Sequence, residues 1–258
     1  MVNTLEEIGF GGLKLVQSET GFRYGVDAVI LADFACSLFP EFDKSVDLGT
    51  GTGIVPFILS HKNSTAQITG IDIQQDSVRI ARRSCALNGL EERIAFFQED
   101  VCRIDACCEG GSADMVTCNP PYVAKGKGLV NDSSAKYVAR HETTGSLNDF
   151  VKAAAWLLKD RGHFFMVHRP SRLVDIFCSC RKHRLEPKHM RMVAPKQGEI
   201  PNIVLVHCVK NGGKELRLMK DLYIYEEDGS YSRQIEKIYE RDKTDCGEKG
   251  EGAGTSVK

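Results

Sequence analysis

From Ser45 onward, short apolar runs alternate with longer stretches in which apolar residues recur every three to four positions, the pattern of strands joined by helices. The expected strands are Ser45 to Leu48, Gln67 to Asp72, Ile94 to Gln98, Ala113 to Cys118 and His163 to His168. The clearest helix runs from Asp76 to Asn88, with Asp76 as its N-cap and Gly89 as its stop. Its residues Val78, Ile80, Ala81, Cys85 and Leu87 fall largely on one face. An earlier apolar helix covers Val29 to Leu38, and another covers about Ser171 to His183. Two further strands, His189 to Val193 and Asn202 to Lys210, are separated by a connection too short for a parallel crossover but able to join them as an antiparallel hairpin. The result is an α/β fold, with a mostly parallel sheet of seven strands, an antiparallel C-terminal pair and helices on both faces.

The 258 residues suffice for one such domain. Residues 1–44 are expected to lead into it, 45–225 to form it, and 226–258 to make a charged tail whose last dozen residues, rich in Gly and charge, are disordered. No run of about 18 apolar residues occurs, and an acidic pair stands near the start where a secretory signal needs basic residues, so a cytoplasmic protein without a membrane span is expected. Ten cysteines contain no CxxC pair, which predicts reduced thiols and no metal; Cys85, Cys118 and Cys208 read as small core residues.

A net charge of -1 excludes a uniformly basic nucleic-acid binder, so any RNA contact must come from a local patch. One candidate is the run RKHRLEPKHMRMVAPK, Arg181 to Lys196, in which Glu186 is the single acid. Arg181, Lys182 and Arg184 either face RNA or form a solvated helix end.

Candidate chemistry begins at VDLGTGTGIVPFIL, which places Gly49, Gly51 and Gly53 between the first of these strands and the following helix. Glycine there permits a tight turn and a close approach by a ligand. The second strand ends in Asp72, whose carboxylate can accept both hydroxyl hydrogens of a ribose, and Asp100 follows the third. Ligands of open α/β sheets lie along the carboxyl ends of the strands, so the turn and the two acids converge on one crevice.

The fourth strand runs into Asn119-Pro120-Pro121-Tyr122. Two prolines stiffen this backbone and remove its amide donors, leaving the Asn119 carboxamide oxygen and the Pro120 carbonyl as a pair of acceptors. A conjugated amino group is a poor nucleophile. Two acceptors on its hydrogens draw the nitrogen toward tetrahedral geometry and free the lone pair. Tyr122 offers a face on which a planar base can stack, which requires that base to be unpaired or flipped out.

Asp47-Leu48-Gly49-Thr50-Gly51-Thr52-Gly53 resembles the first motif of the class I S-adenosylmethionine methyltransferases, and the seven-stranded pattern is similar to their Rossmann-like sheet. The resemblance implies that S-adenosylmethionine is the cofactor and that Gly49, Gly51 and Gly53 pass beneath it. It also implies that Asp47 sits near its methionine portion, that Asp72 with Ile73 holds its ribose, and that Asp100 with Val101 meets its adenine. Asn119 would contact both cofactor and substrate. Phe22 to Ala28, with Tyr24 and Asp27, resembles the segment over the methionine end, although Asp27 could equally cap the helix that follows.

NPPY resembles the fourth motif of methyltransferases acting on adenine, guanine or glutamine nitrogens. Only about 44 residues precede the first strand, too few for the helical domain of the release-factor glutamine methyltransferases, and no room remains for a DNA target-recognition domain. GGLKLVQSETGFRYGVDAVILADF, Ala139 to Glu142, Arg169 to Leu173 and ELRLMKDLYIYEEDGSYS together resemble the bacterial methyltransferases that modify N6 of the adenine beside the anticodon of a valine transfer RNA. That resemblance implies a transfer RNA anticodon loop as partner, with Pro121 and Tyr122 at the base. Lys125, Lys127, Lys136 and Arg140, on a stretch with two glycines, either meet phosphates or merely solvate the loop. His141 is a candidate base by position alone, or a surface histidine near a helix start.

Overall fold

A computed structural model of the chain describes residues 3–18, 25–120 and 145–241. The chain opens with an antiparallel hairpin, β1 (Asn3–Glu7) and β2 (Lys14–Ser18), whose turn region carries Gly9, Gly11 and Gly12 at positive φ. Helix α1 (Val26–Leu38) starts after Gly25 in the N-cap position; Asp27 is its second residue and does not cap it. Strand β3 (Lys44–Leu48) leads to α2 (Ile54–Lys62), an apolar helix whose Pro56 lies in the first turn, where a missing amide costs nothing.

Strand β4 (Gln67–Asp72) is followed by α3 (Gln75–Leu87) and β5 (Ile94–Gln98). The N-cap position of α3 belongs to Gln74; Asp76 stands inside the first turn and pairs with Arg79. Val78, Ala81 and Cys85 of α3 are buried as the periodicity requires, whereas Leu87 in the last turn is 53% exposed. A short 3-10 turn leads into α4 (Ile104–Cys107), then β6 (Ala113–Cys118).

Beyond residue 144, Ser146 and Asp149 form a reciprocal capping box that starts α5 (Leu147–Leu157). Then come β7 (Leu158–His168), α6 (Leu173–Lys182), β8 (Leu185–Ala194) and β9 (Ile203–Lys210). Strands β10 (Arg217–Leu218) and β11 (Leu222–Tyr223) and helix α7 (Arg233–Ile238) complete the described chain.

Seven strands lie in the order β5-β4-β3-β6-β7-β9-β8. The first five run parallel, and β9 is antiparallel to both β7 and β8, as the short connection demands. The two-residue strands β10 and β11 add to the outer edge of β8, making nine in the sheet. On one face α1, α2, α3, the N-terminal hairpin and α7 enclose an apolar core around Phe34, Phe57 and Phe165. On the other, α4, α5 and α6 cover Leu48, Phe164 and Val206. Residues 226–241, expected as part of a tail, are anchored in the first core through Ile235, Ile238 and Tyr239.

Candidate functional site

The strand order reverses at β3, between β4 and β6, and there the chain makes its glycine turn. The backbone amides of Gly49 and Thr50 both donate to the Ile71 carbonyl (2.8 and 3.0 Å), tying the turn to the end of β4. The three glycines answer to different demands. A Cβ on Gly53 would lie 2.7 Å from the ring of Phe96, and one on Gly49 3.3 Å from Phe150, so neighbouring rings occupy that space. A Cβ on Gly51 would meet nothing within 4 Å; this glycine, at φ +56°, leaves open the cradle that a ligand needs.

Asp72 reinforces the turn. Its Oδ2 accepts from the Gly51 amide and its Oδ1 from the Gln74 amide, each at 2.8 Å, and the residue is almost wholly buried. Next to it Ile73 is half-buried, its carbonyl accepting from the Gln98 amide group at 3.3 Å. One strand further out, the Asp100 carboxylate accepts from the Cys102 amide at 2.9 Å and caps the 3-10 turn that begins with Val101. Val101 is half-buried against the second core.

Asp47 lies beneath the turn, fully enclosed, and the Thr117 hydroxyl donates to its Oδ1 at 2.6 Å. Burial drives its pKa up to about 7, against the pull of that hydrogen bond.

On the adjacent strand, Cys118 pairs with Leu48 and with Met166, so Asn119 and Pro120 emerge from β6 directly beside the glycine turn. Neighbouring strands are about 4.8 Å apart. The crevice at the carboxyl ends of β3, β4, β5 and β6 therefore brings together Asp47, Gly49, Gly51, Gly53, Asp72, Ile73, Asp100, Val101, Asn119 and Pro120. Asp27 lies in the first turn of α1, which packs against α2, β6 and β7. Tyr24, Pro121, Tyr122, Lys125, Lys127, Lys136, Arg140 and His141 lie outside the described residues.

Arg181, Lys182 and Arg184 are not brought to this crevice. Helix α6 descends from the carboxyl end of β7, and these residues occupy its foot and the start of β8, where Leu185 pairs with Lys210 at the opposite edge of the sheet. Sequence spacing could not reveal this, because the direction of β8 depends on its pairing. Arg181 there pairs with Glu186 at 3.1 Å.

Four contributors escaped the sequence reading. Thr117 holds the buried acid, and its only signal is a polar residue inside an apolar strand. Phe96 and Phe150 shape the turn from distant elements and look like ordinary core residues. His168 ends β7, two residues beyond the Met166 that pairs with Cys118; it is buried, its Nδ1 accepts from the Arg169 amide at 2.8 Å, and burial with nearby Arg172 lowers its pKa to about 4.

A mostly parallel sheet that reverses order at a glycine turn, with acids at or just beyond the ends of the next two strands, defines an open α/β protein with a crevice at its switch point, where ligands of such sheets lie. The chain belongs to the methyltransferase small domain family, whose family model matches residues 28–176, more than half of its length. It is thus a methyltransferase. Among curated relatives, the tRNA1(Val) (adenine(37)-N6)-methyltransferase of Shewanella halifaxensis is 27% identical over 228 residues, covering 83% of this chain and 89% of its own. A protein of the same name from Parabacteroides distasonis is 28% identical over 187 residues, 71% of this chain and 75% of its own. Among solved structures, a protein of Agrobacterium tumefaciens described as a predicted O-methyltransferase superposes with a TM-score of 0.67 at 21% identity, over 83% of this chain and 95% of that one. That likeness bears on the fold. Among the described residues no helix is long and apolar enough to cross a membrane.

Proposed function

We propose that this chain transfers a methyl group from S-adenosylmethionine to the N6 amino group of an unpaired adenine in transfer RNA, the adenine beside the anticodon of a valine transfer RNA. The observation that carries the reading is the emergence of Asn119-Pro120 one strand from the glycine turn, so that acceptors for an amino group stand beside a cradle for the donor. The names of the curated relatives support the choice of base and RNA.

The residues fit the donor. Gly51 leaves open space, Asp72 ends β4 beside the turn and is assigned the ribose hydroxyls, and Asp100, one strand further out, is assigned the adenine amino group. Asp47, at the floor, is assigned, in its ionised form, to balance the cationic methionine end. The bound donor supplies an electrophilic sulfonium methyl group. The chain's own part is to bind, orient and polarise: the Asn119 carboxamide oxygen and the Pro120 carbonyl accept the two amino hydrogens of adenine, which localises the nitrogen lone pair and aims it at the methyl carbon. As the N–C bond forms, the methyl carbon's bond to sulfur would break and its electron pair return to sulfur as a neutral thioether; the extra proton then leaves the nitrogen, and water suffices to take it. Tyr122 stacks on the base, and Lys125, Lys127 and Arg140 meet phosphates near it.

The reading is tested by incubating the protein with methyl-labelled S-adenosylmethionine and unmodified bulk transfer RNA, then digesting the RNA to nucleosides. Label in N6-methyladenosine alone is expected. Label in another nucleoside, or none in RNA with cofactor bound, overturns the substrate assignment.

A further inference from the structure

A second concavity lies on the same carboxyl edge of the sheet, away from the donor crevice. It is a cavity of about 710 Å³ where β11 and α7 meet the end of β8, within the size range of pockets that hold a nucleotide. From β6 to β11 the sheet crosses β7, β9 and β8, four spacings of about 4.8 Å, or roughly 19 Å. That is a distance an RNA loop spans in a few extended nucleotides.

Its wall ends a column of rings. Phe10 packs on Tyr239, Tyr239 on Tyr231 and Tyr231 on Tyr225, with centroids 6.1, 5.8 and 5.5 Å apart and interplanar angles of 29°, 19° and 8°. Arg241 lies over Tyr239 and Tyr231 and steadies the column from the side. Tyr231 covers one side of Tyr225, yet Tyr225 lines the cavity and is 39% exposed, so the stack stops with a ring surface facing solvent. Gln197 and Gln234 on the same wall carry amides, which donate and accept as a base edge requires.

Charge favours a base over a bare phosphate here. Lys196, Lys220 and Arg233 line the cavity, but so do Asp221, Glu226 and Glu227, and the two sets balance. The ammonium of Lys196 is spent on the Glu227 carbonyl at 2.9 Å. A neutral, amide-bearing wall with an exposed ring at the end of a stack matches the way single-stranded RNA bases are held, by stacking first and edge hydrogen bonds second.

We infer that this cavity receives an unpaired base of the RNA substrate other than the methylated adenine, stacked on Tyr225 as the next ring of the column. The inference rests on the functional reading above and adds a second anchoring point that orients the loop. Tyr225 is a positioning residue; it takes no part in the transfer.

The test uses the full chain with Tyr225→Ala and Tyr225→Phe, measuring binding of a fluorescein-labelled anticodon stem-loop RNA, methylation kinetics on transfer RNA and S-adenosylmethionine affinity. Tyr225→Ala is expected to raise the RNA Kd and KM roughly tenfold, the scale of one base–aromatic stack. Its kcat at saturating RNA stays within about twofold, cofactor affinity is unchanged, and Tyr225→Phe behaves as wild type. Photocrosslinking of 4-thiouridine-substituted RNA to the unaltered protein reads the same contact without substitution and is expected to label residues 219–234. A wild type that methylates transfer RNA while Tyr225→Ala binds and turns over normally, or crosslinks only elsewhere, overturns the inference and leaves the functional reading standing. A wild type that neither binds nor methylates transfer RNA overturns both.

Discussion

Gly51 and Gly53 are two residues apart and do different work. Both lie at positive φ, +56° and +90°, but only Gly53 has a ring in the space a methyl group would take. Gly53→Ala should destabilise the fold by about 1–3 kcal/mol through overpacking against Phe96, read as a fall in melting temperature of about 2–4 °C for each kcal/mol. Gly51→Ala should cost less stability, since only the backbone conformation is strained, and should lose at least roughly tenfold in cofactor affinity by calorimetry because its methyl group projects into the cradle. Equal effects of the two on both measurements would show that the turn is not divided in this way.

Asp47 gives a residue-scale prediction in pH. Its folded pKa, about 7, lies above the ordinary carboxylate value of 3.8, so the folded state binds a proton the unfolded chain has already lost. Stability therefore falls as pH rises from about 4 toward 7, and the penalty is complete above 7. Asp47→Asn, which keeps an acceptor for Thr117 and cannot ionise, should melt higher than wild type at pH 8 and close to it at pH 4.5. A difference independent of pH would contradict this account of the buried acid.

Among the elements, β7, β9 and β8 share a feature that no single strand reveals. His163, His207 and His189 lie side by side across the three, joined by ring-nitrogen contacts of 3.0 Å at each step, with Phe165 stacked on His207. Burial and the flanking histidines depress the His207 pKa to about 3, below the ordinary 6.5. The contribution of this group is present above pH 6.5 and is lost as pH falls toward 3. His207→Phe keeps the stack and removes the titration, so the drop in urea-unfolding free energy between pH 7 and pH 5 should be smaller in the variant than in wild type. An unchanged drop would place the acid sensitivity elsewhere.

Other elements show what could be read from the chain alone. The boundaries of β4, β5 and β6 were legible because short β-branched and apolar runs there are bounded by glycine, acids and proline. The glycine turn, Asp72, Asp100 and Asn119 were legible because strand-end position and residue type together specify them. The N-terminal hairpin was hidden by its mixed polarity, and β8 began four residues before the expected His189 because Glu186, Pro187 and Lys188 interrupt its apolar pattern. Register placed Arg181, Lys182 and Arg184 at the wrong end for the crevice, and register depends on partners far along the chain.

At the scale of the whole molecule, the fold closes on itself through its C-terminal stretch. Helix α7 lays Ile235 and Ile238 on the core beneath α1, while His61 and Lys62 of α2 reach Glu240 at 3.0 and 3.9 Å. The second concavity and the donor crevice are parts of one edge of the sheet, built from β3 to β6 at one end and from β8, β11 and α7 at the other.

The central claim is that this edge separates holding the donor from activating the amino group, with Asn119 serving mainly the second task. The most direct measurement compares wild type with Asn119→Ala in paired experiments: S-adenosylmethionine affinity by calorimetry and N6-methyladenosine formed in unmodified transfer RNA. The account predicts cofactor affinity within about threefold and transfer reduced at least 100-fold, about 2.7 kcal/mol of lost transition-state stabilisation. Transfer that survives the substitution, or cofactor binding that disappears with it, would contradict the account.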